Sequence, residues 1–362
     1  MPLPLRRRIG QLLFGSFPGR TVPVELAALA REFDLGGVTL FARNVEAPEQ
    51  VLDLALEIEA LGGDAPAWVS IDQEGGRVAR LKAPFTVWPP MAALGRADTP
   101  GLAERFAAAL AAELRAVGVT LDFAPVLDIL TNAKNPAIGD RALSGDAART
   151  AELGAAIVRA LQAGGVAACG KHFPGHGDTA VDSHHDLPVV DHGPDRLRAV
   201  EFVPFRAAIA ADAACIMTAH VVVPALDETR PATLSPAVVP LLKDELGHRG
   251  MVVTDDLEMQ AVAARWSPGE AAVMAVAAGC DGVLVCSGNV DAQAATLEAL
   301  VKAVESAVIT HARLDDATAR VARQKARFLA GRPPARERLR QWKAVVGCEA
   351  HQLVAAEMAA FA

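Results

Sequence analysis

Eight short runs of apolar and β-branched residues, each separated from the next by other segments, constrain this chain more than any other feature. They occupy residues 11–14, 37–41, 67–72, 120–124, 166–172, 214–220, 250–255 and 281–286. Alanine- and leucine-rich stretches at 24–33, 48–61, 101–117, 147–163, 197–211 and 236–245 lie between them and predict helices. Strands that alternate with helices are joined by crossovers, and crossovers make the strands parallel. Eight such units match the count of a (β/α)8 TIM-type barrel. The structural alternative is a doubly wound open sheet, which ordinarily carries a glycine-rich dinucleotide turn after an early strand. No such turn is present. An α/β barrel is therefore expected over residues 1–331, as a single domain, with 332–362 a C-terminal helical tail packed on it. Pro333 and Pro334 after Gly331 mark the end of the last barrel helix, and 339–362 read as terminal helices. A chain of 362 residues with 52% apolar content has enough hydrophobic material for such a core.

The charge balance narrows the partners. A net charge of −8, with no basic patch interleaved with aromatics, gives no field for nucleic acid or an anionic membrane. Residues 1–8 are basic, but the apolar run after them is cut by Gly10 and Gly15 and is too short for a signal-peptide core. No stretch approaches a membrane span. The five cysteines are odd in number, scattered and mostly within apolar runs, the pattern of buried free thiols, so a cytoplasmic location is expected.

Polar chemistry gathers where the runs end. Arg43 and Asn44 follow the second, Asp72 to Arg77 the third, and Asp128 the fourth. Lys171 and His172 close the fifth, Thr218 and His220 the sixth, and Asp255 and Asp256 the seventh, while Ser287 and Asn289 follow the eighth. A closed barrel brings all of these ends to one face. The connection 129–145, with Asn132, Asn135 and Arg141, is longer than ordinary loops and is a candidate cover for substrate.

The densest stretch is GKHFPGHGDTAVDSHHDLPVVDH at 170–192, which holds Lys171, His172, His176, Asp178, Asp182, His184 and His185. Pro174, Gly175 and Gly177 force it into a shaped loop. Zinc or iron ligation is one reading of the histidines, but the only His-x-x-x-His pair, His172 and His176, is interrupted by Pro174 and Gly175 and has no cysteine partner. Asp182-Ser183-His184 is more specific: in an extended segment residues i and i+2 point the same way, so Asp182 can hold Nδ1 of His184 and free Nε2 for proton transfer. Of Asp255 and Asp256, one faces the barrel mouth as a nucleophile or base, and the other fits a helix N-cap. Asp72 with Arg77 and Arg80 reads either as a binding group or as a structural salt bridge.

Five segments, IDQEGGRVARL (71–81), KHFPGHGDTAVDSH (171–184), IMTAHVVVPALD (216–227), PATLS (231–235) and VVTDDLEM (252–259), resemble glycoside hydrolase family 3, in particular its single-domain bacterial β-N-acetylhexosaminidases. The resemblance runs from about residue 10 to 330 and implies a (β/α)8 barrel. It implies Asp255 as nucleophile, His184 as general acid/base and Asp182 as its orienting partner. Asp72, Arg80, Arg141, Lys171 and His172 match residues that bind the terminal sugar. The implied activity is a retaining exo-β-N-acetylglucosaminidase of cell-wall recycling, acting on N-acetylglucosamine-anhydro-N-acetylmuramic acid muropeptides, with no cofactor and no metal. A β-glucosidase or a glycoside phosphorylase of the same family is the alternative, and a metal-dependent hydrolase using the histidine cluster is the third reading. His185 has no role in any of these except the last.

Overall fold

The computed structural model describes residues 4–63, 66–184, 186–331 and 342–362. Eight parallel strands close into a barrel: β1 (Leu13–Gly15), β2 (Gly37–Leu40), β3 (Trp68–Ile71), β6 (Leu121–Asp122), β7 (Ala167–Phe173), β8 (Cys215–Thr218), β9 (Met251–Asp256) and β10 (Gly282–Leu284). The strands neighbour one another in chain order, and β10 pairs with β1 to close the ring. Two short antiparallel strands, β4 (Gln73–Gly75) and β5 (Val78–Ala79), form a hairpin directly after β3. All eight predicted runs are barrel strands. They read as continuous apolar runs because a parallel strand sheathed by helices is buried on both faces, as β7 is along its whole length.

Local chemistry sets the helix boundaries. Asp146 caps Ala147–Ala163 by accepting the Arg149 N–H at 2.7 Å, and Ser267 with Glu270 forms a capping box ahead of Pro268–Ala278. Two predicted helices come out differently. The one expected over 197–211 is broken at Val200 (φ −126°, ψ −73°) into Pro194–Ala199 and Phe202–Ala210. The one expected over 236–245 shrinks to a π-helical turn, Leu241–Glu245, because Pro240, in its interior, supplies no N–H to an α-helical ladder. Strand β6 is also shorter than its predicted run. Pro125 cannot donate to the ladder, and pairing resumes only at Val126 with Lys171.

The last helix, Glu349–Ala359, packs against Leu102–Ala116. The junction is polar and buried. Glu113 accepts from Thr86 Oγ1 (2.6 Å), the Thr86 N–H (3.0 Å) and the Gly347 N–H (2.9 Å), and lies 2.9 Å from His351 Nδ1. Pro333 and Pro334, on which the sequence reading rested, lie outside the described residues. No described helix is long and apolar enough to cross a membrane.

Candidate active site

A cavity of about 430 Å³ opens at the C-terminal ends of the barrel strands. The eight side chains singled out from the sequence, Asp72, Arg80, Arg141, Lys171, His172, Asp182, His184 and Asp255, all line it. Strand-end position alone is not enough, however. Asn44 is buried and bonds the Phe17 and Gly19 carbonyls, Thr218 bonds Thr233, and Asn289 caps the helix Val290–Glu305. Those polar strand ends hold the fold.

The floor of the cavity is a chain of alternating charge. Arg80 Nη2 lies 3.2 Å from Asp72 Oδ2, Lys171 Nζ lies 2.8 Å from Asp72 Oδ1 and 2.6 Å from Glu74 Oε1, and Arg141 grips Glu74 with Nε and Nη2, both at 2.8 Å. Burial alone would raise the Glu74 carboxyl, but Arg141 and Lys171 outweigh it and hold the group well below the usual carboxylate range. Burial likewise pulls against the Lys171 charge, which Asp72 and Glu74 restore, so its pKa ends above the ordinary value. Asp122, whose Oδ1 accepts the Gln73 N–H at 2.9 Å, is pushed well up by burial.

Glu74 is the residue that sequence reasoning missed. It lies in the EGG turn, where a glutamate reads as solvated. The available signal was its spacing two residues after Asp72, which allows both carboxylates to face the same cations. The turn itself requires glycine, with Gly76 at φ +54° and a Cβ there coming within 2.9 Å of Pro90. Arg77, paired with Asp72 in the sequence reading, points away from it. It donates to the Ala137 and Ile138 carbonyls (2.7 and 3.0 Å) and meets Asp140 at 3.1 Å, tying the hairpin to the long connection 129–145. That connection, expected as a substrate cover, contributes Ala137 and Arg141 to the cavity lining.

On the neighbouring wall, His172 Nδ1 lies 2.6 Å from Asp128 Oδ2, which fixes the ring. Burial would raise Asp128, but His172 outweighs it and keeps the carboxyl below its ordinary pKa. Asp255 ends β9. Burial would raise its pKa too, yet His220, His172 and the Asp256 N–H at 2.8 Å lower it, so it faces the cavity ionised. Its neighbour Asp256 differs: burial, then the charges of Glu258 and Asp255, push it up to about 7. Asp256 Oδ1 accepts the Glu258 N–H (3.1 Å) and the Cys286 N–H (3.2 Å), closing a turn instead of capping a helix as expected for one of the pair: the helix that follows, Gln260–Ala263, has Met259 at its N-cap.

Asp182 and His184 stand above the floor. His184 Nδ1 lies 2.8 Å from Asp182 Oδ1, and the His184 N–H donates to that same oxygen at 2.9 Å. The dyad therefore arises from an Asx turn rather than an extended segment, because the carboxylate takes the backbone N–H two residues on as well as the ring. The His184 side chain is 64% exposed. His176 is buried, with its ring against Thr179 and Ser183, and Asp178 accepts from Thr131 Oγ1 at 2.7 Å, away from the dyad. Among the described residues no three His, Cys, Asp or Glu side chains gather as a metal site, and His185 lies outside those residues.

Known proteins share this arrangement of chain. The sequence profile described as glycosyl hydrolase family 3 N terminal domain matches residues 4–324. A beta-hexosaminidase A of Pseudoalteromonas piscicida is 33% identical across 94% of this chain and 60% of its own length. A beta-hexosaminidase of Nitrosomonas eutropha is 39% identical across 77% of this chain and 82% of its own. The solved glycoside hydrolase family 3 beta-N-acetylglucosaminidase of Paenibacillus sp. str. FPU-7 superposes with a TM-score of 0.89 at 41% identity, covering 95% of this chain and 69% of that one. This chain thus spans three fifths of the first relative and most of the second.

Proposed function

This chain belongs to glycosyl hydrolase family 3, and from that premise we propose that it is a retaining exo-β-N-acetylglucosaminidase that removes terminal N-acetylglucosamine from peptidoglycan fragments. The observation that carries the reading is the pairing in one cavity of an ionised carboxylate, Asp255, with a carboxylate-held histidine, His184. A nucleophile must be charged and a general acid must have a proton to give; on this reading Asp255 takes the first role and His184 the second.

In the first half-reaction an Asp255 oxygen attacks the anomeric carbon and the glycosidic C–O bond breaks. His184 Nε2–H protonates the departing oxygen, while Asp182 stabilises the imidazolium through Nδ1–H and passes to the ring no proton of its own. In the second half-reaction Nε2 takes a proton from water, the water oxygen attacks the anomeric carbon, and Asp255 is released. Two displacements at one carbon retain the β configuration. Floor groups Asp72, Arg80, Lys171 and Arg141, with His172 on the wall, offer donors and acceptors to sugar hydroxyls at fixed positions, so the terminal ring is oriented before reaction. The relatives' names support N-acetylhexosamine as the sugar. Cell-wall fragments in the cytoplasm are the proposed setting.

Proton NMR of the sugar first released from a β-linked nitrophenyl N-acetylglucosaminide tests the mechanism. The β-anomer is expected, and initial appearance of the α-anomer would overturn Asp255 as nucleophile. Asp255→Ala should remove turnover on every substrate. Faster turnover of the matching nitrophenyl glucoside would overturn the sugar assignment.

A further inference from the structure

The turn that bears the dyad is anchored at its middle. Ser183 is 4% exposed, whereas the His184 side chain beside it is 64% exposed. The Ser183 Oγ lies 3.2 Å from Nε2 of His176, and the Ser183 carbonyl accepts the Ala261 N–H at 3.2 Å. Every other contact of His176 ties it to the body of the site. Its N–H donates to Asp128 Oδ1 at 2.6 Å, the carboxylate that also orients His172, and its carbonyl accepts from Asn135 Nδ2 at 2.8 Å.

Both ring nitrogens of His176 are engaged. Nδ1 lies 2.7 Å from Thr179 Oγ1 and Nε2 lies 3.2 Å from Ser183 Oγ, so in either neutral tautomer the ring shares a hydrogen with each hydroxyl. Thr179 Oγ1 also lies 3.0 Å from the His176 carbonyl and 3.2 Å from Asn135 Nδ2, which ties the ring to the connection 129–145. Burial pushes the His176 pKa down.

We propose that His176 is a positioning residue: through its hydrogen bond with the Ser183 hydroxyl it fixes the turn 182–184 against the cavity wall and so sets where His184 Nε2 meets the leaving oxygen. The proposal rests on reading Asp182 and His184 as the proton-transfer dyad. It differs from a general folding role in what it predicts, because misplacing the acid harms only reactions that need a proton delivered.

The test is kcat/KM, which reports the first half-reaction, for Ser183→Ala on two β-N-acetylglucosaminides, one with a dinitrophenol leaving group and one with an alkyl alcohol. Dinitrophenolate departs unprotonated. The alkyl substrate should lose about tenfold and the dinitrophenyl substrate less than about twofold, the scale set by small displacements of a catalytic group. Ser183→Thr, which keeps the hydroxyl, should restore the alkyl rate, and His176→Phe should repeat the Ser183→Ala pattern. Equal losses on both substrates, or no loss on either, would overturn the latch. His184→Ala serves as the reference. If its own losses were equal on the two substrates, the dyad reading would fall and the latch with it; if they differed while those of Ser183→Ala did not, only the latch would fall.

Discussion

The floor and the dyad arm of this cavity are built on opposite principles. On the floor, Glu74 and Lys171 side chains are 1% and 3% exposed, and each charge meets its counter-charge within 3 Å. On the arm, the His184 side chain is mostly in water, held by one carboxylate on a turn that is anchored by neutral hydrogen bonds at Ser183. Buried charges of this kind are costly to desolvate and stay only where partners fix them, which makes the floor rigid and its dipoles already aimed. The arm carries little buried charge, and its place is set by the hydrogen bonds of Ser183 instead. On the proposed reading, substrate binding falls to the ion-paired part and proton transfer to the hydrogen-bonded one.

Glu74→Gln attacks the floor most directly. It strips a buried anion from Arg141 and Lys171, and a loss of about 3–5 kcal/mol in unfolding free energy is expected, together with weakened binding of every substrate. The wild-type contribution is present above the ordinary carboxylate pKa and lost as pH falls and Glu74 takes a proton, since its pKa in the fold is lowered. Denaturant titration of the variant measures the loss, and one under about 1 kcal/mol would mean that the floor is no more rigid than the arm.

Asp256→Asn should give a smaller change, visible only against pH. Because the wild-type carboxyl is raised to about 7, it favours the fold at pH below its ordinary value of 3.8 and loses that advantage as pH rises through 7. Melting temperatures from pH 4 to 8 should therefore fall more for wild type than for Asp256→Asn; parallel curves would refute the shift. The smallest effect is expected from His184→Ala, whose stability should lie within about 0.5 kcal/mol of wild type because the group is solvated. A larger loss would erase the contrast between arm and floor.

The barrel was legible because each strand is buried on both faces and so is written as an unbroken apolar run. The helices at 197–211 and 236–245 were harder, since composition favours a helix while the backbone break at Val200 and the missing N–H of Pro240 decide against one. Within the site, motif residues were readable and their partners were not. Lys171 was visible, whereas the anion that shares it, Glu74, looked like an ordinary turn residue until the hairpin β4–β5 folded it inward. Asp128 was noticed at a strand end, but its grip on His172 depends on a contact across 44 positions of sequence. The dyad was found through its spacing even though the geometry behind it was an Asx turn.

The polar junction at Glu113 gives the C-terminal helix a mechanical role. Glu113 takes two of its four bonds from Gly347 and His351 and the other two from Thr86, in the segment leading to Trp88. The Trp88 carbonyl in turn receives the Gly76 N–H at 2.9 Å, at the tip of the hairpin that carries Glu74. A continuous run of hydrogen bonds thus links the end of the chain, through one buried carboxylate and one short segment, to the hairpin whose anion braces Arg141 and Lys171. Residues 342–362 act as a buttress to that hairpin.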